Sequence, residues 1–350
     1  MSARHWVGLD VGEAFTSICV LGESEPPLIE CSTGSGPDEI ARGLSGIEIA
    51  DIQAMVMESG ASTELQRQLQ RIGYPVSVLD ARKTHRYLSI RQNKTDLNDA
   101  RGLAEIARLG RFSRLAVHCR STEAQELRNQ LAVRQRLIVL RSAVSNSLRS
   151  MLRNHGSGIR QFGRGKAALK LTVEAELILL EGKGMRGVAK QLTPLLNVWE
   201  AIAAYTDRLD EEIESAAMLN PVTNRFMQIP GVGPICALSF YAAIDDPSRF
   251  ERSGDVGAYL GMVPKVIQSG NGHQRSGITK AGSVMTRSYL VLAAGVMISR
   301  AKTPCAIRDW GVSLRTRLGY RKARTAVARK LAVAMLSMWK GDRDFEPYPI

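Results

Sequence analysis

The sequence predicts an α/β domain at the amino-terminal end of the chain and a mostly helical remainder. Up to Leu79, short β-type apolar runs alternate with amphipathic helical segments, as expected for a sheet covered by helices. From Ser121 onward, long segments of helical periodicity replace the short runs. A chain of 350 residues is long enough for about two domains, each with its own core.

The predicted elements of the first domain define a sheet order. Helices are predicted to begin near Pro37, near Ala61 and after Thr95, a residue type that caps helix N-termini. Strands are predicted at residues 5–11, 15–22, 27–32, 52–57 and 74–79. This β-β-β-α-β-α-β-α order suits a ribonuclease-H-like fold, in which the first and fourth strands lie side by side.

Four acidic residues stand where this fold would bring carboxylates together. Asp10 belongs to the first strand and Glu58 follows the fourth, while Asp96 and Asp99 have the i, i+3 spacing of one helix face. Hard cations such as Mg²⁺ prefer oxygen ligands, and two ions roughly 4 Å apart stabilise the attacking and leaving oxygens of a phosphodiester. The set predicts metal-dependent phosphoryl transfer on nucleic acid, although each acid taken singly is more often a turn or helix cap.

The charge of the chain favours a polyanionic partner. There are 47 Lys and Arg against 34 Asp and Glu, which gives a net charge of +13 and a pI near 9.8. Between Glu126 and Glu174 no acid interrupts ten basic residues, and a second basic block covers 315–330. A membrane surface is the competing partner, but no apolar stretch approaches the ~20 residues that span a bilayer, and no signal peptide precedes His5.

Cysteine and histidine usage predicts a cytoplasmic protein without zinc. The five cysteines are an odd number and show no Cys-x-x-Cys spacing, so we expect reduced, mostly buried thiols. The five histidines show no zinc-ligand spacing either. When bound to DNA, such a protein would associate with the bacterial nucleoid.

Two helical regions are predicted in the middle of the chain. Residues 121–154 form one long basic helix, and a glycine-rich break at 156–165 suggests a domain boundary. Residues 167–219 are predicted to be helical throughout, with apolar residues spaced like a helix-pair or coiled-coil seam. An oligomerisation arm and a packed hairpin within the monomer explain this seam equally well.

The last third of the chain opens with a glycine turn. Gly231 and Gly233 lie in the turn 229–234 between two helical runs, an arrangement similar to a helix-hairpin-helix that holds phosphate oxygens with backbone N–H groups. Taken alone, such glycines mark ordinary turns far more often. A polar loop is predicted from Gly270 to Arg275, and a helix that carries Arg287 is predicted to begin near residue 278.

These residues together resemble a known family. They are Asp10, Glu58, residues 93–101, the turn 229–234, Ser269-Gly270 and residues 278–282. In this order they resemble the DEDD transposases of the insertion-sequence-110 family, and the similarity spans nearly the whole chain. The resemblance implies a RuvC-like DEDD domain over 1–155, a helical coiled-coil region over 156–221, and a mostly helical C-terminal transposase domain over 222–350.

The resemblance also implies the chemistry. The family's nucleophile is a serine, which matches Ser269, and its attack on DNA would keep the bond energy of the phosphodiester in a phosphoserine ester. The four acids Asp10, Glu58, Asp96 and Asp99 would hold Mg²⁺, or alternatively Mn²⁺, that activates the serine hydroxyl. Arg275, Lys280 and Arg287 could stabilise charge on the phosphate or contact the DNA backbone.

The family further implies partners. A structured RNA encoded by the element specifies donor and target DNA, and we expect Arg134, Arg141 and Arg149 of the basic helix to bind it. A homo-oligomer, either a dimer or a tetramer, is the expected assembly.

Three other functions fit parts of the sequence. The first is a Holliday-junction resolvase or another RuvC-like nuclease that hydrolyses DNA with the four acids and tolerates loss of Ser269. The second is a sugar-kinase-like ATPase, because residues 8–12 resemble the phosphate loop of the actin-like fold, but a convincing second phosphate loop is missing. The third is a non-catalytic nucleic-acid-binding protein in which the acids are structural.

Overall fold

The computed structural model describes residues 4–24, 26–60, 63–89, 95–110, 112–162, 165–269 and 272–348. The chain divides into two compact units, Met1–Cys119 and Arg120–Ile350. The long basic helix therefore packs with the helices that follow it. The predicted three-domain division, with boundaries at 155 and 221, stays a prediction.

One five-stranded sheet forms the centre of the first unit. Its strands are β1 (His5–Val11), β2 (Phe15–Leu21), β3 (Ile29–Gly34), β4 (Ile52–Glu58) and β5 (Val76–Leu79). Their order is β3-β2-β1-β4-β5. Strand β2 is antiparallel to both β1 and β3, and strand β4 is parallel to both β1 and β5. The predicted strands and the predicted contact between the first and fourth strands are confirmed.

Four helices accompany the sheet. They are α1 (Pro37–Gly43), α2 (Thr63–Ile72), α3 (Ala81–Leu88) and α4 (Asp96–Arg108). The sequence analysis missed α3, because this helix has no apolar stripe and buries only Thr84. Its start is nevertheless marked by Asp80, whose side chain accepts hydrogen bonds from the backbone N–H groups of Arg82 and Lys83.

The two faces of the sheet carry different cores. On one face, Val7, Leu9, Met55 and Met57 pack with Ile40 of α1 and Leu69 of α2, among others. On the other face, Ala54 and Val56 pack against Leu103, Ile106 and Ala107 of α4. Because side chains alternate along a strand, residues 8, 10 and 58 belong to the face that α4 covers.

Three long helices begin the second unit. They are α5 (Thr122–Asn154), α6 (Lys166–Gly182) and α7 (Arg186–Leu219). The prediction of unbroken helix over 167–219 is wrong at residues 183–185, because Gly184 adopts a positive φ of 80° and ends the helical path. Leu148 of α5, Val173 of α6 and Leu196 of α7 belong to one buried cluster, so the apolar seam is at least partly buried within the chain. No helix in the described ranges is long and apolar enough to cross a membrane.

The remainder of the second unit is helical apart from one hairpin. Its elements are α8 (Pro221–Met227), α9 (Pro234–Ile244), α10 (Val256–Tyr259), β6 (Pro264–Ser269), β7 (Gly272–Ile278), α11 (Val284–Ser299), α12 (Ala306–Leu318) and α13 (Tyr320–Gly341). The predicted polar loop to Arg275 is wrong, because residues 272–278 pair with β6 as an antiparallel strand. The backbone hydrogen bonds of this pairing outweigh the polar composition that suggested a loop.

Candidate active site

Asp10 and Glu58 are neighbours in the sheet. The parallel pairing of β1 and β4 aligns Gly8 with Val56 and Leu9 with Met57. Asp10 and Glu58 are the next residue on each strand, and both are half-buried. The two carboxylates predicted to meet therefore lie at the same end of adjacent strands and on the same face.

Gly8 lets helix α4 approach this face closely. A Cβ atom at Gly8 would lie 2.1 Å from the carbonyl oxygen of Ala100 and 2.4 Å from the backbone nitrogen of Ala104. Only glycine fits this contact without displacing the helix backbone. Sequence reasoning missed this positioning residue, although an isolated glycine inside a strand is itself a signal of close backbone approach.

The direction of α4 brings its first turn toward Asp10. Arg108, the last residue of α4, donates to the carbonyl oxygen of Gly22, which follows the residue of β2 that pairs with Trp6 at the start of β1. Gly8, in contrast, approaches Ala100 near the beginning of α4. Helix and strand therefore run in opposite directions. The first turn of α4, which contains Asp96 and Asp99, consequently lies toward the end of β1 where Asp10 is found.

The start and the docking of α4 are fixed by side chains. Thr95 Oγ1 accepts a hydrogen bond from the backbone N–H of Asn98 at 3.2 Å, which confirms the predicted cap. Arg101 donates to both carboxylate oxygens of Glu30 on β3, each at 2.8 Å. This hydrogen bonding raises the pKa of Arg101. Asp96 is exposed and Asp99 is half-buried, so both remain accessible.

The donor chemistry of this edge suits a hard divalent cation. Asp10, Glu58, Asp96 and Asp99 offer only carboxylate oxygens, the ligand type that Mg²⁺ and Mn²⁺ prefer. Within the described ranges, no three His, Cys, Asp or Glu side chains are placed so that they could hold a metal ion. The four acids therefore suit the ion by donor type, but their side chains as described do not bring three of them together at one position.

The thiols form no disulfide bond in the part of the chain that the structure describes. All five cysteines are free, as predicted, and Cys19, Cys236 and Cys305 are buried. Burial raises the pKa of Cys19 to about 11 and that of Cys236 to about 12. These two thiols are therefore protonated near neutral pH and are poor nucleophiles.

Ser269 is the last residue of β6 and pairs with Gly272 of β7. Its side chain lies outside the described part of the structure, as do those of His273 and Arg275. Residues 93 and 94 of the family pattern also lie outside it.

Lys280 and Arg287 lie beside the base of the hairpin. The backbone N–H of Lys280 donates to Gly261, and this residue has a positive φ of 56°. Arg287 is buried and donates from Nη1 to the carbonyl oxygens of Leu260 and Ala281, both at 2.9 Å. These bonds give Arg287 a structural role, whereas Lys280 exposes its side chain.

The glycine turn before α9 combines packing with open space. Gly231 has a φ of 90°, and a Cβ there would lie 2.7 Å from the carbonyl oxygen of Ala293 on α11. Gly231 is therefore needed for close packing. Gly233 precedes α9 without a side-chain cap and has no neighbouring atom that would obstruct a Cβ.

Cations of the acid-free stretch pair with acids of α7. Arg134 forms an ion pair with Asp210, and Lys170 on α6 lies 2.8 Å from Glu200. Burial lowers the pKa of Arg128. Part of the basic block is thus neutralised within the protein. These ion pairs join residues far apart in the sequence and could not be predicted from it.

Two other arginines of α5 are engaged differently. Nη1 of Arg141 is buried and has no hydrogen-bond partner among the described residues. Arg149 donates to Asn146 at 2.6 Å and lines a cavity of about 400 Å³ with Ser150 and Arg153. This cavity presents polar and cationic groups suited to an anionic ligand.

Comparisons with known proteins match most of the chain to transposases. Residues 7–156 match the family described as a DEDD transposase of IS110, and residues 223–310 match the transposase family IS116/IS110/IS902. The chain is 32% identical over 295 residues to the transposase for insertion sequence element IS1111A of Coxiella burnetii, which covers 83% of this chain and 79% of that protein.

Other relatives cover similar lengths. A probable family 20 transposase of Pseudomonas aeruginosa is 25% identical over 68% of this chain and 69% of its own length. The transposase for IS1328 of Yersinia enterocolitica is 24% identical over 87% of this chain and 90% of its own. These matches define a DNA transposase enzyme, and the chain belongs to the IS110 family of insertion-sequence transposases. DEDD transposases generally use divalent metal.

Proposed function

We propose that this transposase cuts and rejoins DNA strands at the ends of an insertion sequence through a covalent phosphoserine intermediate on Ser269. The observation that carries the proposal is the alignment of Asp10 and Glu58 on adjacent strands beneath α4. The strand order β3-β2-β1-β4-β5 is typical of ribonuclease-H-like and RuvC-like domains, which supports the same assignment for the first unit.

Asp10, Glu58, Asp96 and Asp99 are the proposed metal ligands, with Mg²⁺ as the ion and Mn²⁺ as a substitute. When bound, the ion would stabilise charge on the phosphate and on the attacking and leaving oxygens. Ser269 ends a strand, and an unperturbed hydroxyl is a weak nucleophile. The proposal therefore requires the carboxylate edge and Ser269 to act on the same phosphate, from one subunit or from two.

Each step of the proposed reaction forms one phosphoester bond and breaks another, so their number does not change. Ser269 Oγ loses its proton and attacks phosphorus, the Oγ–P bond forms, and the bond from phosphorus to a sugar oxygen breaks as that oxygen gains a proton. A hydroxyl of another strand then attacks the phosphoserine, and the serine takes a proton back. Because no water enters, no external energy source is needed for rejoining.

A structured RNA encoded by the element is the proposed guide. Among the arginines predicted to bind it, Arg149 lines the polar cavity on α5 and Arg141 has an unsatisfied buried Nη1. Arg134 already bonds Asp210, so we assign it a smaller share of the binding. Gly233, Lys280 and Arg275 remain proposed contacts to DNA.

A homo-oligomer, either a dimer or a tetramer, is the proposed assembly. Leu171 and Ile178 on α6 are 65% and 69% exposed, and their spacing of seven residues places them on one helix face. Val198 and Tyr205 on α7 repeat this spacing and are 49% and 60% exposed. Such exposed apolar faces support contacts between subunits.

The proposal is tested by trapping the covalent intermediate. Wild-type protein, Ser269→Ala and Asp10→Asn are incubated with Mg²⁺, the flanking RNA of the element and labelled DNA that spans its ends. We expect a protein–DNA adduct that survives denaturation for wild type only. Ser269→Ala loses the nucleophile, and Asp10→Asn weakens metal binding by removing one charge from the carboxylate set.

Cleavage that persists in Ser269→Ala without an adduct would contradict the proposal. It would instead identify a RuvC-like hydrolytic nuclease that uses only the four acids. Arg71→Gln is a suitable control, because it changes an exposed residue of α2 whose ion-pair partner is Glu64. This control is expected to form the adduct as wild type does.

A further inference from the structure

The elbow between α12 and α13 concentrates exposed positive charge. Gly319, with a φ of 78°, joins the two helices. On either side of it stand Arg315, Arg317, Arg321 and Lys322, all of which are exposed. We call these four residues and Tyr320 the basic elbow.

The sequence around the basic elbow supplies almost no compensating acid. From residue 256 to residue 341 there are fifteen Lys and Arg but a single acid, Asp309. Asp309 is already engaged, because it lies 3.2 Å from Nη1 of Arg308 and accepts a hydrogen bond from the Tyr348 hydroxyl at 2.7 Å. Helix α11, which packs against α13, contains no acid at all.

The cations of the basic elbow therefore differ from Arg134 and Lys170. On α5 and α6, Arg134 and Lys170 pair with acids of α7. None of the four cations of the basic elbow forms an ion pair with a carboxylate in the parts of the chain that the structure describes. Unpaired like charges repel one another, and a bound polyanion relieves this repulsion while releasing its own counterions.

The ring of Tyr320 contacts one cation of the elbow, Arg315, and a neighbouring arginine, Arg324. The guanidinium carbons of Arg315 and of the adjacent Arg324 lie 5.8 Å and 5.4 Å from the centre of the Tyr320 ring. These cation–π contacts limit the movement of both side chains without neutralising them. Tyr320 itself is 39% exposed. Arg315 is thus held at the elbow while it keeps its positive charge.

We propose that the basic elbow binds the phosphate backbone of double-stranded DNA during transposition. DNA is chosen because the family acts on DNA and because guanidinium and ammonium groups without acid partners suit phosphates independently of base sequence. The inference rests on the proposed function, since it adds a DNA-holding surface to the same enzyme. It needs neither Ser269 nor a metal ion.

The test measures how DNA affinity depends on salt. Each phosphate contact contributes roughly 0.9 to the slope of log K against log salt concentration. The full-length double variant Arg317→Gln/Arg321→Gln is compared with wild type by fluorescence anisotropy, on a mixed-sequence DNA duplex in EDTA. We expect the magnitude of the slope to fall by about 1.8 and the affinity to fall at every salt concentration tested.

The matched control removes the same charge elsewhere. Arg71→Gln/Lys170→Gln changes two exposed cations that already pair with Glu64 and Glu200, so its slope is expected to equal that of wild type. An equal loss in the control would show that only net charge matters and would overturn the proposal. An unchanged slope in the elbow variant would overturn it as well.

Two further measurements distinguish DNA from RNA as the partner and distinguish this proposal from the proposed serine mechanism. If the elbow variant loses affinity for a structured RNA but keeps its affinity for the duplex, the partner is RNA and the assignment to DNA is wrong. Ser269→Ala is expected to bind the duplex as wild type does. A failed adduct assay would therefore not affect the DNA-binding result, and a failed DNA-binding test would not affect the adduct assay.

Discussion

At the scale of single residues, the position of the acids Asp10 and Glu58 beside α4 depends on a glycine. Gly8 on β1 faces the backbone of α4. Because glycine has no side chain, Ala100 and Ala104 can approach β1 closely. The sheet register then places Asp10 and Glu58 side by side. Sequence reasoning predicted the two acids from their positions after apolar runs, but the requirement for Gly8 becomes visible only when α4 is packed.

We predict that Gly8→Ala lowers the stability of the first unit and weakens metal binding at the proposed site. The added methyl group meets backbone atoms, so α4 has to shift, and overpacking of this kind costs roughly 1–3 kcal/mol. Urea unfolding measures the loss of stability, and calorimetric Mn²⁺ titration measures the weaker binding. Gly46→Ala is the control, because Gly46 is exposed and its added Cβ contacts nothing. Equal unfolding free energies for the two variants would refute this role of Gly8.

At the scale of elements, sequence and structure agree best where local chemistry decides the element. The apolar runs gave β1 to β5 correctly, and Thr95 caps α4 as predicted. Elements that no local apolar pattern marks were not predicted. The β6–β7 hairpin was predicted as a loop because its second strand is polar, and α3 lacks an apolar stripe. The ion pair between Arg134 and Asp210 joins residues 76 positions apart, which composition does not reveal.

We predict that the cap of α4 contributes to metal binding as well as to stability. Thr95→Ala removes the acceptor for the Asn98 N–H and should lower the free energy of unfolding by about 1 kcal/mol. Fraying of the first turn would also loosen Asp96 and Asp99 and weaken Mn²⁺ binding. Thr95→Ser keeps a hydroxyl acceptor and should behave like wild type in chemical unfolding and in titration. A Thr95→Ala variant with unchanged metal affinity would separate the cap from the metal site.

At the scale of the whole molecule, charge is divided between stability and binding. The net charge of +13 predicted a polyanionic partner but not which cations are available to it. The acids of α7 neutralise part of the block on α5 and α6, while the basic elbow has no such partner in the described ranges. Composition therefore predicted the class of partner. The surface follows only from how the helices pack, because packing determines which charges meet.

The most direct measurement of the central claim is to locate the covalent bond. Wild-type protein is reacted with Mg²⁺, the flanking RNA and element-end DNA, then denatured and digested with nuclease and protease for mass spectrometry. We predict a nucleotide-bearing peptide that contains β6, with the phosphoester on Ser269. A nucleotide on a different residue, or cleaved DNA without any modified peptide, would contradict the serine mechanism.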